Sequence, residues 1–352
     1  MQSLRILPDL RSSVVEEKHP GQVLLFTSER DDSDASLHHP SVRPFSWRTF
    51  VDALRDPDLE LLEVAEPLWV GEWKKALRYI ALARVLRPRI TVATYAIENF
   101  DARERLATRG GRLAVAASLL GLDAVAFGTT GAYENHRHAF GWALRRTRHT
   151  VLPPRLDACT VCGPSADEPR EPVVLFLGTP SERKGFPVLL EAWRRSAHAG
   201  WRLVVADPSG HEAPRLPPGA EIRQEPAREE VHELLRTSAV VAMPSVRRPG
   251  WREQIGLPLV EGLTHGCRVV TTTETGLADD LRDHPDVHLT TPGDPDDLGR
   301  GLREAMDRGR AERPRRRGFS KRDVVDWWLS AGDGRRRILR ERPHGTRRRT
   351  RK

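Results

Sequence analysis

Two glutamates, Glu253 and Glu261, stand in the segment Trp251–Val270 (WREQIGLPLVEGLTHGCRVV), with Gly256 three positions after the first. Pro258 suits the first turn of a helix, so the spacing predicts a helix starting near Leu257. Such a helix leaves backbone N–H groups unpaired at its start and carries partial positive charge there. That end is a ready site for a diphosphate, and Gly256 lets the backbone come close to a ligand. Glu253, just ahead of the helix, can accept hydrogen bonds from sugar hydroxyls. Glu261, about one turn further along, can reach a ribose diol. Gln254, Ile255, Gly256 and Leu257 complete this binding set.

A second group lies in Val173–Ala192 (VVLFLGTPSERKGFPVLLEA), which reads as a strand, a glycine turn, a Lys-Gly pair and an amphipathic helix. Lys184 is one of only 6 lysines against 51 arginines, so it is not the coding default. A lysine there is a mobile point charge for a phosphate. Gly178, Thr179 and Arg183 sit in the same loop. Ser245 closes VVAMPS, the run before Glu253, and Gln224 opens the loop QEPA. In the first half, Tyr95 lies near the end of the run ITVATYAI, and Glu98 and Asn99 follow it. Glu98 and Asn99 are expected to contact an acceptor or a sugar, with a helix cap at Asn99 and Asp101 as the competing reading. His136 and His138 read as structural or exposed. Cys159 and Cys162 form one CxxC without a second ligand pair nearby, so they read as ordinary loop cysteines and no metal site is expected.

These residues need a frame. Runs that read as strands are Gln22–Ser28, Leu59–Val64, Ile90–Ile97, Asp123–Phe127 and His149–Leu152. Helical spacing is seen over Trp69–Leu86 and Leu106–Leu120. Leu156 to Pro172 is rich in Pro, Gly, Ser and Asp and reads as a linker. Beyond it the alternation is cleaner. Strands are expected at Val173–Gly178, Trp201–Ala206, Glu221–Arg223, Ala239–Met243, Cys267–Thr272 and Asp286–Leu289. Helices are expected at Pro187–Ala197, Glu229–Ser238, Leu257–His265, Gly276–Asp283 and Pro295–Met306. Strands alternating with helices imply an α/β chain with parallel sheets covered on both faces. Two such halves give two Rossmann-like domains, with ligands outside the carboxyl ends of the strands.

The segment Val240–Asp280 resembles the signature of retaining family-4 glycosyltransferases: Glu, seven residues, Glu, with glycine three after the first, preceded by a Pro-Ser turn. Val173–Ala192 resembles that family's opening of the second domain. The resemblance covers roughly Val173–Trp328 and is only compatible before residue 150. It implies a GT-B-like fold with the two domains facing each other across a cleft. It also implies residues 1–170 as an acceptor domain with linker, 171–311 as a nucleotide-sugar donor domain, and 312–334 as a terminal helix. That helix would pack back on the first domain through Phe319, Val324, Val325, Trp327 and Trp328. The implied activity is retaining, metal-independent transfer from a nucleotide-diphosphate sugar, with no cofactor beyond that donor. Glu253, Lys184 and Glu98 would act in catalysis. Gly178, Thr179, Arg183, Lys184, Gln224, Ser245, Gln254, Ile255, Gly256, Leu257 and Glu261 would bind the donor. Two positions depart from the family: Thr179 stands where arginine is usual, and Asp207–Gly210 replaces a Gly-x-Gly turn. Arg183 is the candidate for the missing charge.

Composition bounds the alternatives. With 38% hydrophobic and 30% charged residues, the 352-residue chain reads as globular and long enough for two or three domains. No apolar run reaches membrane-span length. The start lacks a signal-peptide core, and three cysteines make no disulfide framework, so the cytoplasm is the expected compartment. The net charge of +8 is concentrated in the tail 335–352, whose own balance is +9, so the body is nearly neutral. That tail is expected to be disordered or to touch an anionic membrane surface, and nucleic acid is a weaker expectation. Two rival readings stay open: an epimerase or hydrolase of the same architecture, or a degenerate binding protein.

Overall fold

The computed structural model describes residues 2–10, 18, 20–29, 39–69, 71–106, 108–156, 159, 161–162, 170–195, 199–210, 215–308 and 323–330. Residues 30–38, most of the segment 157–169, Val70, Phe319 and the basic segment 335–352 lie outside the described residues. No helix of the described residues is long and apolar enough to cross a membrane.

The first half builds a seven-stranded sheet from β1 (Gln2–Leu10), β2 (Gln22–Glu29), β3 (Val42–Pro44), β4 (Leu59–Glu63), β5 (Thr91–Ala96), β6 (Ala124–Phe127) and β7 (Arg148–Val151). Its order is β3-β2-β1-β4-β5-β6-β7, and every pairing is parallel. The connecting helices are α1 (Trp47–Arg55), α2 (Glu72–Leu86), α3 (Ala102–Arg105), α4 (Arg109–Gly121) and α5 (Thr130–Leu144). The second half builds a six-stranded parallel sheet of order β10-β9-β8-β11-β12-β13. Its strands are β8 (Glu171–Leu177), β9 (Arg202–Asp207), β10 (Ala220–Gln224), β11 (Ser238–Met243), β12 (Arg268–Thr272) and β13 (Val287–Thr290). Its helices are α6 (Phe186–Arg195), α7 (Arg228–Thr237), α8 (Leu257–Thr264) and α9 (Pro295–Asp307). Both orders are doubly wound, each reversing direction once, so the chain has two Rossmann-like domains.

Burial follows the parallel-sheet rule. β6 and β12 are buried at every position, as strands covered on both faces must be. In the second domain one core, with Leu175, Val204, Val241 and Val269, lies under α7 and α8. The other, with Val174, Phe176, Val205 and Val270, lies under α6 and α9. A final helix over 323–330 returns to the first sheet. There Val324, Val325 and Trp328 are buried against Leu61, Ala93, Ala124 and Ala126.

Several features differ from the sequence reading. Gln22–Ser28 is the second strand, because Gln2–Leu10 forms the first and pairs with both β2 and β4. The strand β3 and the helices α1, α3 and α5 were not expected. Residues 276–283 form consecutive turns instead of a helix. The reason is local: a Cβ at Gly276 would lie 1.3 Å from the Gln254 carbonyl oxygen, so this segment is pressed onto the loop before α8.

Candidate active site

In the second sheet the strand order reverses between β8 and β11. The crevice above that point is the expected ligand site of such a sheet, and loops from both strands meet there. After β8 the chain turns at Gly178 (φ 142°), where an added Cβ would meet nothing within 4 Å, so the space above is open. It then reaches Lys184 and Gly185. Gly185 has φ 68°, and a Cβ there would fall 1.8 Å from the Pro244 carbonyl oxygen. No side chain fits at 185 without separating the loop after β8 from the loop after β11. The Val246 N–H also donates to the Arg183 carbonyl at 3.0 Å.

This contact sets the Lys184 ammonium 2.6 Å from the Glu253 carboxylate. The buried Ser245 hydroxyl donates to the same Glu253 oxygen at 3.1 Å, and the Ser245 carbonyl accepts from the Thr272 hydroxyl at 2.5 Å. Glu253 is thus held from two sides in a nearly closed position. Arg183 does not stand beside it: its guanidinium lies over the Trp251 ring, 4.8 Å from the centroid.

Glu253 leads into Gly256, which caps α8 with φ 87°. A Cβ there would approach Met243 Cε to 2.5 Å and Thr275 Cγ2 to 2.7 Å. The left-handed conformation and the packing both call for glycine. No side chain caps α8; Pro258 has no N–H and the Leu259 N–H donates to the Gly256 carbonyl at 2.9 Å, which leaves the Leu257 N–H for water or a ligand. The carboxylate, the glycine, the positive helix end and the ammonium therefore occupy one crevice. Glu261, further along α8, is paired with Arg228 at 2.7 Å. Gln224 ends β10 at the sheet edge, next to Glu225. Glu225 is the one non-glycine with positive φ among the described residues (46°).

The first domain meets this crevice directly. Gln254 Nε2 donates to Glu98 Oε2 at 3.2 Å, and Asn99 Nδ2 donates to the Glu253 carbonyl at 3.3 Å. Asn99 is seated by Gly131, where an added Cβ would fall 2.5 Å from Asn99 Oδ1. Asn99 is not a helix cap: Asn135 Oδ1 accepts the Ala102 N–H of α3. Tyr95 serves packing, its hydroxyl donating to the Leu152 carbonyl at 2.9 Å. His138 is exposed. Below Glu98 lies a group that the sequence reading missed. The buried Glu66 carboxylate accepts the Ile97 N–H at 2.8 Å and the Glu98 N–H at 3.0 Å. His136 is fully buried 3.4 Å from Glu66. Its Nδ1 donates to the Ala132 carbonyl, and burial pushes its pKa down to about 4. Glu66 gave no sequence signal, since a lone glutamate in AEP after a strand has no marked spacing.

One further assembly was not foreseen. Cys159 and Cys162 lie beside His232 of α7 and His265 at the end of α8. The two histidines are 33 residues apart in sequence, so no local ligand spacing announces them.

Residues 171–308 match the family model described as glycosyl transferases group 1. No curated protein matches the chain. Solved structures do. Anabaena HepE in complex with UDP superposes with TM-score 0.61 at 13% identity, over 95% of this chain and 94% of that one. A glycosyltransferase from Rickettsia africae gives 0.62 at 12%, over 96% and 97%. A UDP-forming trehalose-phosphate synthase from Burkholderia xenovorans gives 0.61 at 13%, over 97% and 99%. At such identities the likeness is one of fold, and it extends over both domains. Residues 171–308 thus match the glycosyl transferases group 1 model, within a chain that shares the two-Rossmann-domain, GT-B-type fold of these structures.

Proposed function

We propose that this chain is a glycosyltransferase that moves a sugar from a nucleoside diphosphate to an acceptor hydroxyl with retention of anomeric configuration. The observation that carries the reading is the pairing of Lys184 with Glu253 at the reversal point of the second sheet, beside the uncapped start of α8. In the reaction the acceptor oxygen attacks the anomeric carbon from the face on which the diphosphate departs. The bond to the phosphate oxygen breaks, its electron pair stays on the phosphate, and the acceptor proton passes to that oxygen. The negative charge that builds there is met by the Lys184 ammonium, the Leu257 N–H and the positive start of α8. Glu253, released from Lys184 by the incoming diphosphate, orients hydroxyls of the transferred sugar. Glu98 faces the acceptor side.

These groups neutralise the diphosphate themselves, so the reading needs no metal. Ser245, Gly178, Thr179 and Gln254 line the same crevice, and Gln224 and Glu261 are assigned to the nucleoside. HepE was solved with UDP and with UDP-glucose, which makes UDP-glucose the first donor to try. The acceptor is assigned to the class of secondary metabolites or cell-envelope glycans, the compartment to the cytoplasm, and the tail 335–352 to contact with anionic lipid. The test is donor consumption by purified chain, with the product's anomeric configuration read by NMR. Acceptor-dependent release of nucleoside diphosphate with a retained linkage supports the reading. Rapid turnover without acceptor would make it a hydrolase or epimerase.

A further inference from the structure

Four side chains that serve metals elsewhere converge at the back of the second domain, away from the crevice. Their ligand atoms, two sulfurs from Cys159 and Cys162 and one nitrogen each from His232 and His265, all lie within 4.8 Å of one another. Cys162 Sγ is 3.4 Å from His232 Nδ1 and 3.6 Å from His265 Nε2. Cys159 Sγ is 3.6 Å from His232 Nδ1, and the two ring nitrogens are 3.1 Å apart. Zinc bonds of ~2.3 Å to sulfur and ~2.0–2.1 Å to nitrogen put the edges of a tetrahedron at about 3.3 Å (N to N), 3.6 Å (S to N) and 3.8 Å (S to S). The three sulfur–nitrogen edges and the one nitrogen–nitrogen edge given above fall close to these values.

The second shell fits as well. His265 Nδ1 lies 2.7 Å from the Glu261 carbonyl oxygen. It therefore donates there and leaves the Nε2 lone pair facing the cysteines, which is how metal-bound histidines are usually oriented. The backbone is drawn to the same place, since the Cys159 N–H donates to the Thr264 carbonyl at 3.0 Å. A surface depression lined by Cys162, Arg228, His232 and Arg236 gives an entry path. The third cysteine, Cys267, is buried apart from the group, its thiol donating to the Leu235 carbonyl at 3.0 Å.

We propose that Cys159, Cys162, His232 and His265 bind one structural zinc ion that ties the inter-domain linker to the middle of α7 and the end of α8. On binding, the two thiols lose their protons to solvent, and the two thiolates balance the charge of the ion. Four protein ligands leave no open position, so the ion is not a catalytic one. It sits at the far end of α8 from Gly256, about 12 Å along the helix at 1.5 Å per residue. From there it holds the helix that presents the crevice and fixes where the linker leaves the second domain. The inference does not depend on the transferase reading.

The test is metal analysis of the full chain, purified reduced and without chelators. About one zinc per chain is expected. Cys159→Ser and His232→Ala should each lower that content at least tenfold, and Cys267→Ala should leave it unchanged. Because the variants can fail to fold, a second measurement uses the wild-type chain alone. Once the bound zinc has been stripped by a chelator and the chelator removed, added cobalt(II) should give the visible bands of a tetrahedral site together with thiolate charge transfer, and added zinc should abolish both. Chelation by TPEN should lower Tm by several degrees. Absence of bound zinc together with no tetrahedral cobalt spectrum overturns the proposal. So does a Cys159–Cys162 disulfide in freshly purified chain.

Discussion

Lys184 and Glu253 form an ion pair of 2.6 Å across the reversal point of the second sheet, one on the loop after β8 and the other on the loop after β11. Both are largely buried, so the pair is not a surface contact of negligible worth. On the proposed reading it holds the ammonium until the donor diphosphate displaces Glu253. The two residues should therefore respond differently to substitution. Lys184→Ala removes the countercharge and should lower kcat/KM by roughly 100- to 1,000-fold, with weaker binding of nucleoside diphosphate. Glu253→Gln frees the ammonium. It should leave nucleoside diphosphate binding equal or tighter while turnover falls by a similar factor. Calorimetry with the free diphosphate, beside steady-state rates, separates the two.

Gly256 makes a second prediction. Its φ of 87° and the near contacts of a Cβ with Met243 and Thr275 mean that Gly256→Ala costs both strain and overpacking, together roughly 2–4 kcal/mol. Gly178→Ala differs, because an added Cβ meets open space there and only the φ of 142° resists it. Its loss of donor affinity should exceed its loss of stability. Urea unfolding compared with donor titration reads both quantities.

His136 predicts a pH dependence of stability. Its pKa is depressed to about 4 in the folded chain, by burial, against 6.5 when unfolded. Between these values the unfolded chain binds the extra proton. The stabilisation is therefore complete above about pH 6.5 and is lost as pH falls towards 4, by roughly 3 kcal/mol in all. His136→Gln should flatten that part of the curve. Denaturant midpoints at pH 7.5 and pH 4.5 for both chains give the difference directly.

The two domains also meet at Thr130 and Asp280. The Thr130 N–H and hydroxyl both donate to the Asp280 carboxylate, at 3.0 and 2.5 Å. The carboxylate thereby sits at the positive start of α5. Asp280→Ala should loosen the closed arrangement and increase the radius of gyration in small-angle scattering. Donor affinity should stay within about twofold while kcat falls roughly tenfold to a hundredfold, as the reacting groups lose register.

Much of the second domain was legible because its strands are uninterrupted apolar runs, such as VVLFLG and VVAM, separated by glycine turns. The crevice residues were legible for the same reason: Gly178, Gly185 and Gly256 mark backbone that only glycine adopts, and the charged residues next to them had few alternatives. The first domain was harder. β1 carries Arg5, Pro8 and Asp9 and shows no alternation, yet it is central because β2 and β4 pair with it. α5 contains Gly131 and Gly141 and is kinked at Phe140 (φ −134°), so its period is broken. Gly131 is there for the Asn99 side chain, a tertiary reason that no local pattern carries. The approach of Glu98 and Asn99 to Gln254 and Glu253 joins residues more than 150 positions apart. The same holds for the two histidines beside Cys159 and Cys162. In each case the meeting is made by two sheets and a linker, not by neighbours in sequence.

The central claim is that the Lys184 ammonium, Glu253 and the start of α8 together grip an activated sugar. Its most direct test is a crystal structure of the chain with whichever nucleotide sugar raises Tm most in a screen of UDP, GDP, dTDP and ADP donors. The account predicts the diphosphate against the Leu257 N–H at the start of α8, Lys184 moved from Glu253 onto a phosphate oxygen, and the Glu253 carboxylate on the sugar. A donor bound elsewhere, with the Lys184–Glu253 pair intact beneath it, would contradict the account.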